Sequence, residues 1–120
     1  MKIAVTSQGA SRNYHVNQRF GQTKYIVVYN TETDAYMFKS NELNLNATHR
    51  TAIKTVMSIF ETGAEVLITG NCGPKALHEL HDKKIRVFTG VIDSVKQAIK
   101  DYGRGMLKEV HSADVEEHWL

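Results

Sequence analysis

The single cysteine of the chain, Cys72, lies in the segment Gly70–Pro74, which reads GNCGP. A short apolar run precedes this segment and a helical pattern begins at Pro74, so N–H groups of the helix end would point at a ligand. That helix end would lower the pKa of the thiol, which could then bind a metal or act as a nucleophile. The alternative is a half-buried turn residue that only packs. No Cys–His spacing identifies a base for a nucleophile, so we expect no enzymatic activity.

Histidines are the other candidate metal ligands. His78 and His81 lie three residues apart on a predicted helix, a spacing that can share a metal. Glutamate, aspartate and lysine surround this pair, which favours a solvated helix face instead. His49 lies at the start of another predicted helix, where it is either a ligand or a simple first-turn residue. Cys72 and His49 are therefore the two candidate metal ligands.

Basic residues in a long polar segment, Gln8–Thr23, could clamp an anion. These residues are Arg12 and Arg19, and an ordinary solvated charge is the more favoured interpretation of Arg12. Long irregular segments of this kind are often functional. The first strand (KIAVTS) carries no carboxylate, which argues against a two-metal nuclease site. No phosphate-binding, dinucleotide-binding or serine-hydrolase motif occurs in the sequence.

Apolar periodicity predicts the elements that position these residues. Strands are predicted at Lys2–Ser7, Lys24–Asn30, Ala35–Ser40, Glu65–Thr69 and Ile85–Thr89, and helices at Thr48–Thr62, Pro74–Lys84 and Val91–Tyr102. On the first helix, the predicted inward face consists of Ala52, Ile53, Val56, Met57 and Phe60. Gly63 is the expected glycine cap of that helix. We predict one α/β domain over residues 1–105, and a tail or short helix over residues 106–120.

Alternating strands and helices in the second half imply parallel strands with right-handed crossovers. The predicted architecture is therefore a three-layer α/β/α domain with a five-stranded mixed sheet. Its strand order is 3-2-1-4-5, and strand 2 is antiparallel. In this arrangement three helix N-termini, near Thr48, Pro74 and Val91, face one crevice at the carboxyl edge of the parallel strands.

That edge of the sheet is the predicted binding site for an anion. The loops that meet there are Ser7–Gly9, Leu43–His49, Asn71–Gly73 and Thr89–Gly90. The predicted binding residues are Ser7, Arg19, Asn71, Cys72, Gly73, Thr89 and Gly90. The prediction follows from the strand order, since ligands bind where that order reverses.

Composition limits the possible partners. The chain has 120 residues, 42% hydrophobic and 23% charged, which is typical of one folded domain. The net charge of +2 is too small to indicate nucleic-acid binding. One cysteine fits a reducing compartment, and no apolar run is long enough for a signal peptide or a membrane span. We therefore expect a cytoplasmic protein that binds neither nucleic acid nor membrane.

Several motifs occur together in an order that resembles a known family. They are the start MKIAVTS, then VNQRFG, the strand KYIVVYN, the run TGAEVLITGNCGPKA and finally LHDKKIRVF. The chain resembles the dinitrogenase iron-molybdenum cofactor-binding family, which includes NifX, the C-terminal part of NifB and the orange protein. The resemblance covers residues 1–102 and implies a ribonuclease-H-like α/β/α fold, in agreement with the predicted strand order.

The resemblance also implies a function. Members of this family bind or carry anionic metal–sulfur clusters and are not generally enzymes. Many relatives have histidine immediately before the Phe-Gly pair, where this chain has Arg19. The arginine would then supply charge in place of coordination, or His15 or His49 would supply the ligand.

Two functional hypotheses follow from these observations. The first is a small binding or carrier protein for an iron–sulfur or iron–molybdenum cluster, with an accessory role beside cofactor-assembly proteins. The alternative is a metal-free regulatory or interaction module that binds a small anion or a partner protein.

Overall fold

The apolar runs of the sequence form the centre of one mixed β-sheet in the computed structural model, which describes residues 1–45 and 51–111, with Thr51 described by its backbone alone. The strands are β1 (Lys2–Ser7), β2 (Tyr25–Asn30), β3 (Tyr36–Ser40), β4 (Val66–Ile68), β5 (Arg86–Thr89) and β6 (Lys108–Val110). The helices are α1 (Glu42–Leu45), α2 (Thr51–Glu61), α3 (Pro74–Asp82) and α4 (Val95–Gly103), and a 3-10 turn covers Phe20–Gln22.

The strand order is β3-β2-β1-β4-β5-β6. At the centre, Ala4 pairs antiparallel with Val28 of β2 and parallel with Leu67 of β4. Strands β4 and β5 are parallel, and the β2–β3 hairpin is antiparallel. The predicted order of the first five strands and the antiparallel direction of the second are therefore confirmed.

A sixth strand corrects the prediction for the end of the chain. Residues 106–120 are predicted to form a tail or a short helix. This prediction is wrong for Lys108–Val110, which form β6 and pair antiparallel with β5. The chain turns back at Gly105, whose φ of +70° favours glycine. Arg86 then holds β6 in place by two hydrogen bonds to Glu109, of 3.1 and 2.7 Å. The sheet thus continues beyond the predicted boundary at residue 105, and residues 112–120 lie outside the described part of the chain.

Two apolar layers enclose the sheet, as predicted for an α/β/α domain. Alternation along β1 places Ala4 in one layer and Ile3 and Val5 in the other. Helices α2 and α3 cover the first layer, and α4 covers the second. The helix residues that enter these layers are Val56 and Ile59 of α2, Ala76, Leu77 and Leu80 of α3, and Val95, Ala98 and Ile99 of α4.

The inward face of α2 differs from the prediction, because two of the predicted residues are exposed and Ile59 is buried in addition. Met57 and Phe60 are 42% and 47% exposed, while Val56 and Ile59 are fully buried. The helix is rotated so that Phe60 lies on its flank, where the Nζ of Lys83 is 5.9 Å from the ring centroid. The predicted cap is confirmed, because Gly63 has a φ of +82°. The predicted helix start at Thr48 lies outside the described residues.

Helix α4 begins at Val95, four residues later than predicted. Ser94 is the N-cap, and its Oγ accepts a hydrogen bond from the N–H of Gln97 at 3.1 Å. Serine is a far better N-cap than an apolar residue, which explains why the helix does not begin at Val91. Over residues 1–45 and 51–111, no helix has both the length and the apolar character needed to cross a membrane.

Candidate functional site

The long polar segment is fastened to the turn that follows β4. The N–H of Asn71 donates to the carbonyl of Gln18 at 2.8 Å, and the N–H of Phe20 donates to the carbonyl of Asn71 at 3.1 Å. Gly70 permits this approach, because a Cβ at that position would lie 2.6 Å from the Cα of Gln18. These contacts bring Arg19 beside the cysteine turn, which the sequence separates from it by about fifty residues.

A cavity of about 430 Å³ opens at this junction, at the N-terminus of α3. Its walls come from the 3-10 turn, from α2 and from the cysteine turn. The lining residues are Arg19, Phe20, Gly21, Ala52, Asn71, Cys72, Gly73, Pro74, Lys75 and Ala76. Two of these residues are cations, Arg19 and Lys75, and none of those described is acidic. The cavity is therefore suited to a negatively charged ligand.

The N-terminus of α3 lies at this cavity, and several amide groups there have no hydrogen-bond partner among the described residues. Gly73 is the N-cap and has no side chain to accept a hydrogen bond, and Pro74 has no N–H. Within residues 1–45 and 51–111, the N–H groups of Cys72, Gly73, Lys75 and Ala76 make no hydrogen bond. Free N–H groups at a helix N-terminus carry partial positive charge and bind anions.

The N-terminus of α4 is closed, in contrast to that of α3. The side chain of Ser94 accepts a hydrogen bond from the N–H of Gln97. Two carbonyl groups of the long polar segment accept hydrogen bonds from the two N–H groups that precede it. The N–H of Val95 donates to Tyr14 and that of Lys96 to Arg12, both at 2.9 Å. The prediction of three helix ends around one crevice is therefore wrong for the third helix, and the start of the first lies outside the described residues.

Cys72 faces this cavity from a half-buried position against the α2–α3 layer. Its Sγ lies 3.7 Å from the carbonyl oxygen of Gly73. Burial raises the pKa of the thiol to about 12, because a thiolate would be desolvated there. The predicted lowering of this pKa is therefore wrong, and the thiol is neutral at pH 7. A coordinated metal would displace the proton.

Three of the predicted binding residues lie at the same edge of the sheet but outside the cavity lining. Ser7 is fully buried, and its hydroxyl donates to the carbonyl of Gly9 at 2.7 Å. Thr89 ends β5, and the N–H of Gly90 donates to the carbonyl of Gly70 at 2.8 Å. Of these three residues, Gly90 is hydrogen-bonded to the segment that carries Cys72. The cavity brings together the other four predicted residues, Arg19, Asn71, Cys72 and Gly73.

The candidate metal ligands do not assemble into a conventional ligand set. Across the described ranges, no three histidine, cysteine, aspartate or glutamate side chains are grouped as a metal site would require. His78 lies 3.3 Å from Asp82 on an exposed helix face, as the solvated interpretation predicts. His49 lies outside the described residues. Among the described residues, Cys72 is thus the only candidate ligand that lines the cavity.

Six residues of the cavity lining were not among the predicted binding residues: Phe20, Gly21, Ala52, Pro74, Lys75 and Ala76. The sequence could have indicated Lys75, since it follows Pro74 in the first turn of a predicted helix. No such signal indicates Phe20 or Ala52, because their positions depend on how the polar segment packs on α2.

Solved structures share this fold. The apo form of the orange protein from Desulfovibrio gigas is 30% identical, with a TM-score of 0.88, over 91% of this chain and 92% of that chain. A protein from Thermotoga proposed to be NifB is 29% identical, with a TM-score of 0.79, over 90% and 91%. A proposed dinitrogenase from Methanocaldococcus jannaschii is 18% identical with a TM-score of 0.67, over 92% and 94%, and shows the fold alone.

A family model adds to these structural matches. No curated protein matches the sequence. The model described as dinitrogenase iron-molybdenum cofactor matches residues 1–105, which include every described residue of the cavity lining. The chain therefore belongs to the dinitrogenase iron-molybdenum cofactor family.

Proposed function

We propose that the chain is a small binding or carrier protein for an anionic metal–sulfur cluster of the iron–sulfur or iron–molybdenum type. Its role would be an accessory one in cofactor assembly or transfer, beside cofactor-assembly proteins, without catalysis. The observation that carries this proposal is the open N-terminus of α3. There the N–H groups of Lys75 and Ala76, which bond to none of the described residues, and the cations Arg19 and Lys75 surround a cavity whose described lining lacks carboxylates.

The donor set distinguishes a cluster from a bare metal ion. A bare zinc or iron ion needs three or four protein ligands, and the described lining of the cavity offers the single thiol of Cys72. A preassembled cluster brings its own sulfide ligands, so amide groups and cations can hold most of its charge. Few covalent ligands would also allow the cluster to be passed on. The cargo that fits is therefore an anion assembled elsewhere.

The family supports the same cargo. Its description names the iron-molybdenum cofactor, and one similar structure is described as a proposed NifB protein. Arg19, at the position where many relatives have histidine, lines the cavity. We infer that it contributes charge in place of coordination.

A metal-free module is the second candidate, and the state of the thiol favours it. Burial raises the pKa of Cys72 to about 12, so a ligand that needs a thiolate must first displace a proton. A small oxyanion or an acidic segment of a partner protein would use the same amide groups without that step.

Anaerobic purification tests the two candidates directly. Metal, acid-labile sulfide and the visible spectrum would be measured before and after reconstitution with iron, molybdate and sulfide. We expect metal and sulfide in stoichiometric amounts, reduced in Cys72→Ala and retained in the control His78→Ala, whose side chain is exposed. His49→Ala tests the second predicted ligand. A colourless protein that also resists reconstitution would contradict the cluster proposal and favour the metal-free module.

A further inference from the structure

The two edges of the sheet are built differently. The β6 edge has three residues, two of them charged, and Arg86 binds the carboxylate of Glu109 there. The β3 edge has five residues, and Met37 and Phe38 are 47% and 42% exposed. Short, charged strands protect an edge from pairing with another chain, whereas longer apolar strands favour pairing.

We propose that β3 pairs with β3 of a second copy of this chain, antiparallel and about a twofold axis, so that two sheets form one. The proposal concerns an interaction surface and does not depend on the cargo. The β3 strand contributes none of the residues that line the α3 cavity.

The main chain of β3 carries the first step of the argument. The N–H of Asn30 donates to Ala35 at 3.0 Å, and that of Asn41 donates to Lys24 at 2.9 Å. Hydrogen-bonded pairs alternate along an antiparallel ladder, so Met37 and Lys39 also direct their N–H and C=O groups toward β2. The main-chain groups of the remaining residues therefore face outward. These residues are Tyr36, Phe38 and Ser40.

Among the described residues, nothing pairs with the outward groups. Strand β3 ends the sheet, and its ladder to β2 leaves the N–H and C=O groups of Tyr36, Phe38 and Ser40 on the open side. A twofold axis at Phe38 places Phe38 opposite its copy and Tyr36 opposite Ser40 of the second copy. Each of these pairs exchanges two hydrogen bonds, so about six form across the interface.

The side chains of this register are self-complementary, which is why a second copy is the occupant that fits. Met37 lies opposite Lys39 of the second copy, so no lysine directly opposes a lysine. Lys39 lines a surface depression together with Lys2 and Glu61, so its surroundings contain charges of both signs. A foreign strand would match this pattern of apolar and charged positions only by chance.

The face of the β2–β3 hairpin opposite to Met37 and Lys39 carries aromatic side chains that contact one another. Phe38 stacks on Tyr36 with ring centroids 6.3 Å apart, and Tyr36 lies 4.9 Å from Tyr29. The guanidinium of Arg12 lies 5.4 Å from the Tyr36 ring centroid. Pairing at Phe38 joins the aromatic rows of the two copies, and aromatic cross-strand pairs stabilise sheets.

Sedimentation velocity tests the proposal, because an interface of one short strand per copy is small and its dimer depends on concentration. The 120-residue chain would be measured from about 5 µM to about 1 mM, a range that reports dissociation constants of weak complexes. Hydrogen exchange at both ends of the range would follow individual amides. We expect a monomer–dimer equilibrium, with the amides of Phe38 and Ser40 protected only at high concentration.

Two variants locate the interface. Phe38→Lys places like charges opposite each other and should raise the dissociation constant about a hundredfold. Phe38→Pro removes an outward N–H that β2 does not use, a position where an edge strand tolerates proline. Met57→Lys is the matched control, since Met57 is also 42% exposed but lies on α2. Circular dichroism would verify that each variant folds.

Two results overturn the proposal. One is a protein that stays monomeric over the whole concentration range, even if the β3 edge pairs with a strand of another protein. The other is a dimer that persists in folded Phe38→Lys. Neither result bears on cluster binding, which the metal and sulfide measurements test separately.

Discussion

At the scale of single residues, the thiol of Cys72 is held neutral by its position against the α2–α3 layer. Burial raises its pKa to about 12, so the folded chain keeps the proton at pH values where an exposed cysteine, with a pKa of about 8.5, ionises. We predict that alkylation of the folded protein by iodoacetamide at pH 7 is about a thousandfold slower than alkylation of free cysteine.

The pH dependence of this reaction gives the sharper test. Because thiolate is the nucleophile, the rate should rise about tenfold per pH unit from about pH 7 to about pH 10. Mass spectrometry of the intact protein would follow the reaction, with urea-unfolded protein as the control. A rate that levels off below pH 9 would contradict the buried, protonated thiol.

The second prediction at the residue scale concerns the two cations that line the cavity. Arg19→Gln and Lys75→Gln each remove a positive charge that would face the bound anion. Hydrogen bonds to charged groups contribute about 1.5–3 kcal/mol, so each variant should weaken cluster binding about tenfold or more. Retention of metal and sulfide after gel filtration measures this effect.

Lys96→Gln is the matched control, because Lys96 is exposed on α4 and lines no part of the cavity. The loss in the two cavity variants should also be smaller at high salt, where exposed charges are screened. Equal retention in all three variants would show that charge does not hold the cargo.

At the scale of elements, the N-terminus of α3 lacks a side-chain cap, which lowers helix stability and, under the proposed function, leaves amide groups for an anion. Gly73 has an extended backbone suited to an N-cap, and a Cβ built there meets nothing within 4 Å in the described residues. We predict that Gly73→Ser caps the helix through the N–H of Ala76 and raises the free energy of unfolding by about 0.3 kcal/mol. The same hydrogen bond should reduce cluster retention.

Gly73→Ala separates these two effects. Alanine adds a Cβ but no acceptor, so the amide groups stay free and binding should persist. Urea unfolding measures stability, and metal and sulfide content measure binding. If serine and alanine reduce retention equally, steric hindrance and not capping would explain the result.

At the scale of the whole molecule, the fourth prediction concerns where the folded domain ends. The boundary at residue 105 remains a prediction, but β6 pairs with β5 beyond it. Val110 packs against the α2–α3 layer and Leu107 against the α4 layer. A chain ending at residue 105 should lose about 2 kcal/mol of unfolding free energy relative to a chain ending at residue 111.

Urea denaturation of the two truncated chains, beside the 120-residue chain, measures this difference. The chain ending at residue 111 is the control for residues 112–120. Equal midpoints for the two truncations would show that β6 adds nothing to stability and that residue 105 is an adequate boundary.

The sequence by itself determined the strand order of the central sheet. Consecutive apolar residues in β1 and β4 indicate strands buried on both faces, and the alternation of strands and helices leaves few topologies. It also determined where the cysteine turn meets a helix N-terminus, because Gly70, Gly73 and Pro74 are local signals. These features depend on residues that are close together in the chain.

Only the tertiary structure decided which helix ends are open and how Cys72 ionises. The N-terminus of α4 is closed by carbonyls of Arg12 and Tyr14, about eighty residues away along the chain. The pKa of Cys72 rises because α2 and α3 pack around it, and β6 forms because β5 offers an edge to pair with. Desolvation and edge pairing arise from contacts distant in sequence, so no local pattern of residue types predicts them.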